Sequence, residues 1–222
     1  MPARSAWNPI ILHTLGASPA RNFHTALRFG VLFDPPLHLV PIACGILRAM
    51  DPLASLIHIL QSACSGELAA GFAYRGHGKS VRSAEERERI RVIEGEEWHH
   101  REIVIGLLTR LGARPKPARE AVFWVIGKTI GALCHVGGWF IPMYGAGRLE
   151  RWNIVEYENA ARFAAASGHP EMIDCLLAMA EVEWEHERYF RERIEGHRML
   201  RFFPLWSLPP AKETIRAVTH SS

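Results

Sequence analysis

The sequence predicts an all-α protein, a four-helix bundle with an apolar crossover helix or hairpin between its two halves. Three observations predict it. The motif Glu-Trp-x-His occurs twice, at Glu97-Trp98-His99-His100 and at Glu183-Trp184-Glu185-His186. Each copy lies in a stripe of helical apolar spacing: Ile90, Ile93, Val104 and Leu108 around Glu97, and Leu176, Met179, Phe190 and Ile194 around Glu183. A further acid on an apolar face precedes each copy, Glu67 before the first and Glu156 before the second.

The chain has 222 residues and divides on sequence into an N-terminal segment, 1–50, a bundle, 51–197, and a tail, 198–222. The first 33 residues contain Arg4, Arg21 and Arg28 but no acid, which fits a mitochondrial transit peptide or an arm that packs on the bundle. Asp51 is placed to cap a first helix with Pro52 at its first position, running to about Arg75 and ended by Gly76-His77-Gly78. Leu60, Ala63, Ala70 and Tyr74 share the face of its Glu67.

Ser83 and Glu86 read as a capping box for the second helix, which stops at Gly112. Glu96 and His99 offer a competing pair one residue out of phase with Glu97 and His100, and the second motif selects the latter. Residues 121–147 carry one formal charge, Lys128, among aromatic residues and six glycines. A buried crossover helix, a membrane-spanning helix and an apolar interfacial hairpin all fit. The preferred reading is a crossover that also exposes apolar surface to a membrane or lipid substrate.

The next helix is read over residues 148–167. Glu156 has Leu149, Trp152, Ala160 and Phe163 on its face, whereas Glu158 has Arg151 and Arg162, a wet face. Gly168 ends this helix, and Pro170 begins the last. The apolar tail, with Phe202, Phe203 and Trp206, docks either on the bundle or on a membrane.

Glu and His three residues apart project from one helical face, so each motif can offer a carboxylate and an imidazole to one ion. Two such pairs plus one Glu from each of two further helices form the inward site of ferritin-like di-iron bundles. The expected metal ligands are Glu67, Glu97, His100, Glu156, Glu183 and His186. Four carboxylates balance two Fe(II) ions. The same donors admit manganese or zinc, and iron is chosen for the pattern. Tyr74 is a candidate to hydrogen-bond a ligand or relay a proton, or else a core tyrosine. The four cysteines, at 44, 64, 134 and 175, are widely spaced and read as reduced thiols. A net charge of +3 without an aromatic-interleaved basic patch argues against nucleic acid.

Over residues 65–190 the chain resembles the demethoxyubiquinone hydroxylases, a family within the ferritin-like superfamily. The resemblance rests on Gly66-Glu67 with Tyr74, Glu97-x-x-His100, Arg114-Pro115 before the glycine-rich stretch, Val155-Glu156 and Glu183-x-x-His186. It implies the six ligands above and an O2-dependent hydroxylation of a polyprenyl benzoquinone ring, with NADH as the ultimate electron source. It also implies intracellular, peripheral attachment, to the bacterial inner membrane's cytoplasmic face or the mitochondrial inner membrane's matrix face. The expected partners are the quinone and the membrane surface, with a second copy of the chain or a helper protein as further candidates.

The chain departs from the family at Cys64-Ser65-Gly66, where His-Ala-Gly is usual, and at His77 in place of Gln. It also departs at Arg162-Phe163, where His-Tyr follows the second-half Glu. The alternative function is a ferritin-like oxidase that handles iron without an organic substrate. A third reading is a metal-free, membrane-associated helical module.

Overall fold

A computed structural model describes residues 51–219. The expectations for residues 1–50, the transit peptide or packing arm and Cys44 among them, lie outside the described residues. The fold is all-α, a ferritin-like four-helix bundle with one extra helix. It comprises α1 (Pro52–Ser80), α2 (Ala84–Arg110), α3 (Pro117–Leu133), α4 (Phe140–Ala166) and α5 (Ile173–Ile194), with a 3₁₀ turn over Pro170–Met172, at the expected start of the last helix, and further short 3₁₀ turns in the tail. Short loops make α1 with α2, and α4 with α5, antiparallel pairs; α1 also packs on α4, and α3 crosses over against α1.

The starts follow the sequence signals. The Leu53 amide donates to Asp51 Oδ1 at 3.1 Å, and the Glu86 amide donates to Ser83 Oγ at 3.3 Å. The capping box is half formed, because the Glu86 carboxylate instead accepts from Trp139 Nε1 at 3.0 Å. Gly112, Gly168 and Gly196 take φ near +70°, which lets α2, α4 and the last turn of α5 end sharply.

Two expected boundaries move. The first helix runs through Gly76-His77-Gly78 to Ser80 rather than stopping at Arg75. Gly76 serves packing: a Cβ there would stand 2.3 Å from the Gly131 backbone of α3. The second shift is larger. Residues 121–147 do not form one crossover; α3 ends at Leu133, and α4 begins at Phe140, eight residues before the expected start at 148.

Gly76→Ala should therefore destabilise the protein by about 1–3 kcal/mol, since neither backbone can move aside cheaply. Gly95→Ala, in a helix with open space at the added Cβ, should instead stabilise it by about 0.5–1 kcal/mol. Urea midpoints of the two variants check the contrast; a shift in the same direction for both would remove the packing explanation.

The apolar faces around Glu67, Glu97 and Glu183 are all buried, in two clusters above and below the acids. The tail docks on the bundle. Trp206 donates through Nε1 to Glu187 at 2.7 Å, Tyr144 donates to the Pro204 carbonyl at 2.8 Å, and Ile215 is fully buried in the core. Among the described residues no helix is long and apolar enough to cross a membrane. The crossover helix does leave Val122, Trp124, Val125 and Leu133 exposed. Cys64, Cys134 and Cys175 are free thiols.

Candidate metal centre

Two groups of buried donors lie side by side in the bundle. Glu67, Glu97, His100 and Glu183 form one; Glu97, Glu150, Glu183 and His186 form the other. Within each, the donor atoms lie within 4.8 Å of one another. Ligand atoms on opposite sides of one first-row cation stand about 4–4.5 Å apart, so each group has the dimensions of a single ion site. Glu97 and Glu183 belong to both groups and would be shared by the two ions if each group held one. Glu67 and Glu150 flank them as outer carboxylates, and each group takes one histidine.

Five of the six expected positions stand in these groups: Glu67, Glu97, His100, Glu183 and His186. Glu156 stands in neither, and Glu150 occupies the α4 position. The reason is helix phase. Phe140, Met143, Gly147, Glu150, Ile154, Tyr157, Ala161 and Ala164 form the buried stripe of α4, whereas Trp152, assigned to the inner face with Glu156, is 55% exposed. Glu156 lies just outside. Burial, and next the charge of Glu67, push its carboxyl up to about 7, while Arg119 and Ser62 pull the other way. Glu158, expected on a wet face, is buried as well, with Arg151 and Arg162 nearby.

The competing pair separates as the apolar spacing predicts. Glu97 and His100 are buried, whereas His99 is exposed. Glu96 has a role of its own: its Oε2 lies 2.8 Å from His186 Nε2. The His186 tautomer that donates Nε2–H to Glu96 leaves an Nδ1 lone pair facing Glu97 Oε1 at 3.2 Å and Glu183 Oε2 at 3.3 Å. A ring nitrogen facing two carboxylates needs positive charge between them, supplied either by the ring's own second proton or by a bound cation.

The two tyrosines complete a near two-fold pattern. Tyr74 follows Glu67 by seven residues, and Tyr157 follows Glu150 by seven. Each donates its hydroxyl across the bundle to the other's glutamate, Tyr74 to Glu150 and Tyr157 to Glu67. Burial, and next the carboxylate each one touches, hold both phenols well above the usual tyrosine range, so they stay protonated donors. These crossed bonds fix the outer carboxylates without occupying all their lone pairs.

The electrostatics are those of a site built for positive charge. Burial first, and then the charge of Glu183, push Glu67, Glu97 and Glu150 above the usual carboxylate range. Burial also acts to raise Glu183, but its hydrogen bond with His100, at 2.8 Å, and the close approach of the His186 ring outweigh it and hold this carboxyl low. Glu67 Oε2, both Glu97 oxygens, Glu183 Oε2 and His186 Nδ1 are buried without a hydrogen-bond partner. Buried polar atoms seldom stay unpartnered, and here five converge. Four carboxylates and two imidazoles fit two divalent cations in charge and donor type.

The two Trp residues of the repeated motif point away from this centre. Trp98 packs edge-on against Phe72 and lies where a side chain at Gly71 would collide with it; Trp184 donates to the Pro210 carbonyl at 2.9 Å and so holds the tail. No protein-family model, no curated protein and no solved structure matches this chain.

Proposed function

We propose that the protein is a ferritin-like di-iron oxidase, holding two Fe(II) ions and reacting with O2. The observation that carries this reading is the pair of buried donor groups sharing Glu97 and Glu183. The bound irons would supply the electrons and the open coordination positions that O2 reduction needs. The chain's residues do the rest. Glu67 and His100 would hold one ion, Glu150 and His186 the other, and Glu97 with Glu183 would fix their separation. Tyr74 and Tyr157 orient the outer carboxylates. Glu96 holds the His186 ring and connects it to the half-exposed surface, where Arg89 pairs with Glu96 at 3.4 Å. The apolar clusters on either side keep bulk water out.

A second reading is favoured by a separate observation. With Glu150 as the α4 ligand, the residues six and seven positions on are Glu156 and Tyr157. The tyrosine that the hydroxylase resemblance places there is then present, and Glu156 replaces its preceding histidine. The exposed apolar face of α3 would suit peripheral contact with a bilayer carrying a quinone.

One experiment separates the two. Protein loaded with Fe(II) anaerobically should hold about two irons per chain and oxidise them on admission of O2. Iron below about one per chain would sink the di-iron reading. The loaded protein is then given NADH, labelled O2 and a quinone with a free ring position, in liposomes that also report flotation. Oxygen-18 on the ring with flotation establishes the hydroxylase. Iron oxidation with unlabelled quinone leaves the oxidase alone.

A further inference from the structure

On the far side of α4 from the metal centre, the docked tail closes a cleft of about 480 Å³. That volume is within the range of small-molecule sites. Its walls are aromatic: Trp152 and Tyr144 on α4, and Phe202, Phe203 and Trp206 on the tail. Its cationic part is Arg148 and Arg151, three residues apart on α4 and therefore on one face.

The walls are held firmly. Trp206 is fixed by its bond to Glu187, by Arg191 over its ring at 4.9 Å, and by Gly147, where a Cβ would stand 2.8 Å from the indole. Phe203 packs on Tyr144 at 5.7 Å, and the Tyr144 hydroxyl ties down the tail backbone. The cleft is thus a built feature of the bundle surface.

The two guanidiniums are without partners. The ion pairs among the described residues include neither Arg148 nor Arg151. Arg151 Nε is buried with no hydrogen-bond acceptor. Glu158, whose carboxyl burial raises and Arg162 and Arg151 lower, is the nearby acid, yet it forms no ion pair with Arg151. Beside the same tail, by contrast, Arg191 pairs with Glu187. Two adjacent unpaired ones facing an aromatic cleft call for an anion.

We propose that this cleft binds a planar aromatic ligand bearing an anionic group, of the kind a nucleotide phosphate presents. The Arg148 and Arg151 forks would take the anion, since a guanidinium matches phosphate or carboxylate oxygens two at a time. The ring would lie against Trp152 and the tail phenylalanines. The proposal stands on α4 and the tail and does not depend on which metal fills the centre.

The test uses the metal-loaded full chain and three probes: flavin mononucleotide, riboflavin and inorganic phosphate. The first has ring and phosphate, the second the ring alone, the third the anion alone. Flavin fluorescence should show saturable binding of the mononucleotide, with riboflavin at least about tenfold weaker; phosphate should compete only near roughly millimolar levels. Arg148→Gln, at an exposed position where folding is not at stake, and Arg151→Gln should each weaken the mononucleotide about tenfold and leave riboflavin unchanged. Trp152→Ala should weaken both flavins. Equal affinity for the two flavins, indifference to both arginine changes, or no saturation by roughly millimolar mononucleotide overturns the proposal. None of these outcomes touches iron content, so the metal reading stands or falls separately.

Discussion

Glu150→Ala should bind at least one metal ion fewer per chain than the unaltered protein, whereas Glu156→Ala should bind as many. The two residues are less than two turns apart on α4, and the structure separates them cleanly. Glu150 joins Glu97, Glu183 and His186 within one ion's reach; Glu156 belongs to neither group. Removing Glu150 also leaves the Tyr74 hydroxyl, buried and bonded to it, without an acceptor. A buried donor left unsatisfied costs about 1–3 kcal/mol, so this variant should lose thermal stability in addition to metal. Glu150→Gln restores the acceptor but not the charge. It should therefore recover stability while still binding less metal, which distinguishes ligation from folding. Metal content by mass spectrometry, with melting curves on the same samples, decides the matter. Equal loss in the Glu150 and Glu156 variants would mean that α4 presents a different face to the centre.

That contrast also marks where the sequence was readable and where it was not. The spacing of apolar residues at −7, −4, +7 and +11 places Glu97 and Glu183 on buried stripes, and all eight neighbours are buried. Applied to α4, the same spacing gives Met143, Ala146, Tyr157 and Ala161 around Glu150, all apolar. Around Glu156 it gives Leu149, Trp152, Phe163 and Ser167, the last of them polar. The signal was there, but two features hid it. Glu150 lies in Arg148-Leu149-Glu150-Arg151, which has the look of a solvated face. The glycines at 145 and 147 look like helix breakers, so the stripe through Phe140 and Met143 fell to the crossover. Gly147 is instead the seat of Trp206, a contact made by residues about 60 positions away.

The crossed tyrosine bonds were illegible for the same physical reason. Tyr74 lies on the face of Glu67, which local periodicity shows. That its hydroxyl reaches Glu150 on another helix depends on how α1 and α4 pack, and no local pattern encodes that. The docking of the tail is similar: its aromatic residues announce burial without saying against what. Glu96 shows the limit in the other direction. One residue out of phase with the buried stripe, it stands half in solvent, yet from that place it still holds His186.

Stripped of metal, the protein should lose stability as pH rises through about 7, by on the order of 1–3 kcal/mol. The sign follows from which state holds the protons. Glu67, Glu97 and Glu150 are pushed up, first by burial and then by Glu183; Glu156 is pushed up to about 7, first by burial and then by Glu67. The unfolded chain has released these protons already, so the folded state alone must give them up as pH rises, and stability falls. His100 and His186 run the same way: burial opposes their charge, but the neighbouring Glu183 carboxylate outweighs it and raises both. Their contribution is present below the unfolded histidine value and lost as pH climbs through the folded one. The buried groups that run oppositely do so at lower pH. Glu183 is depressed and loses its contribution only in acid, as pH falls through its folded value. His77, buried and lowered to about 4, is neutral in both states above about pH 6.5 and drops out. Metal reverses the trend, because binding requires carboxylates and imidazoles free of protons and grows tighter as they are released. Urea midpoints taken with a chelator and with Fe(II) under argon should therefore diverge as pH rises. Parallel profiles would mean that the buried acids are not where the metal binds.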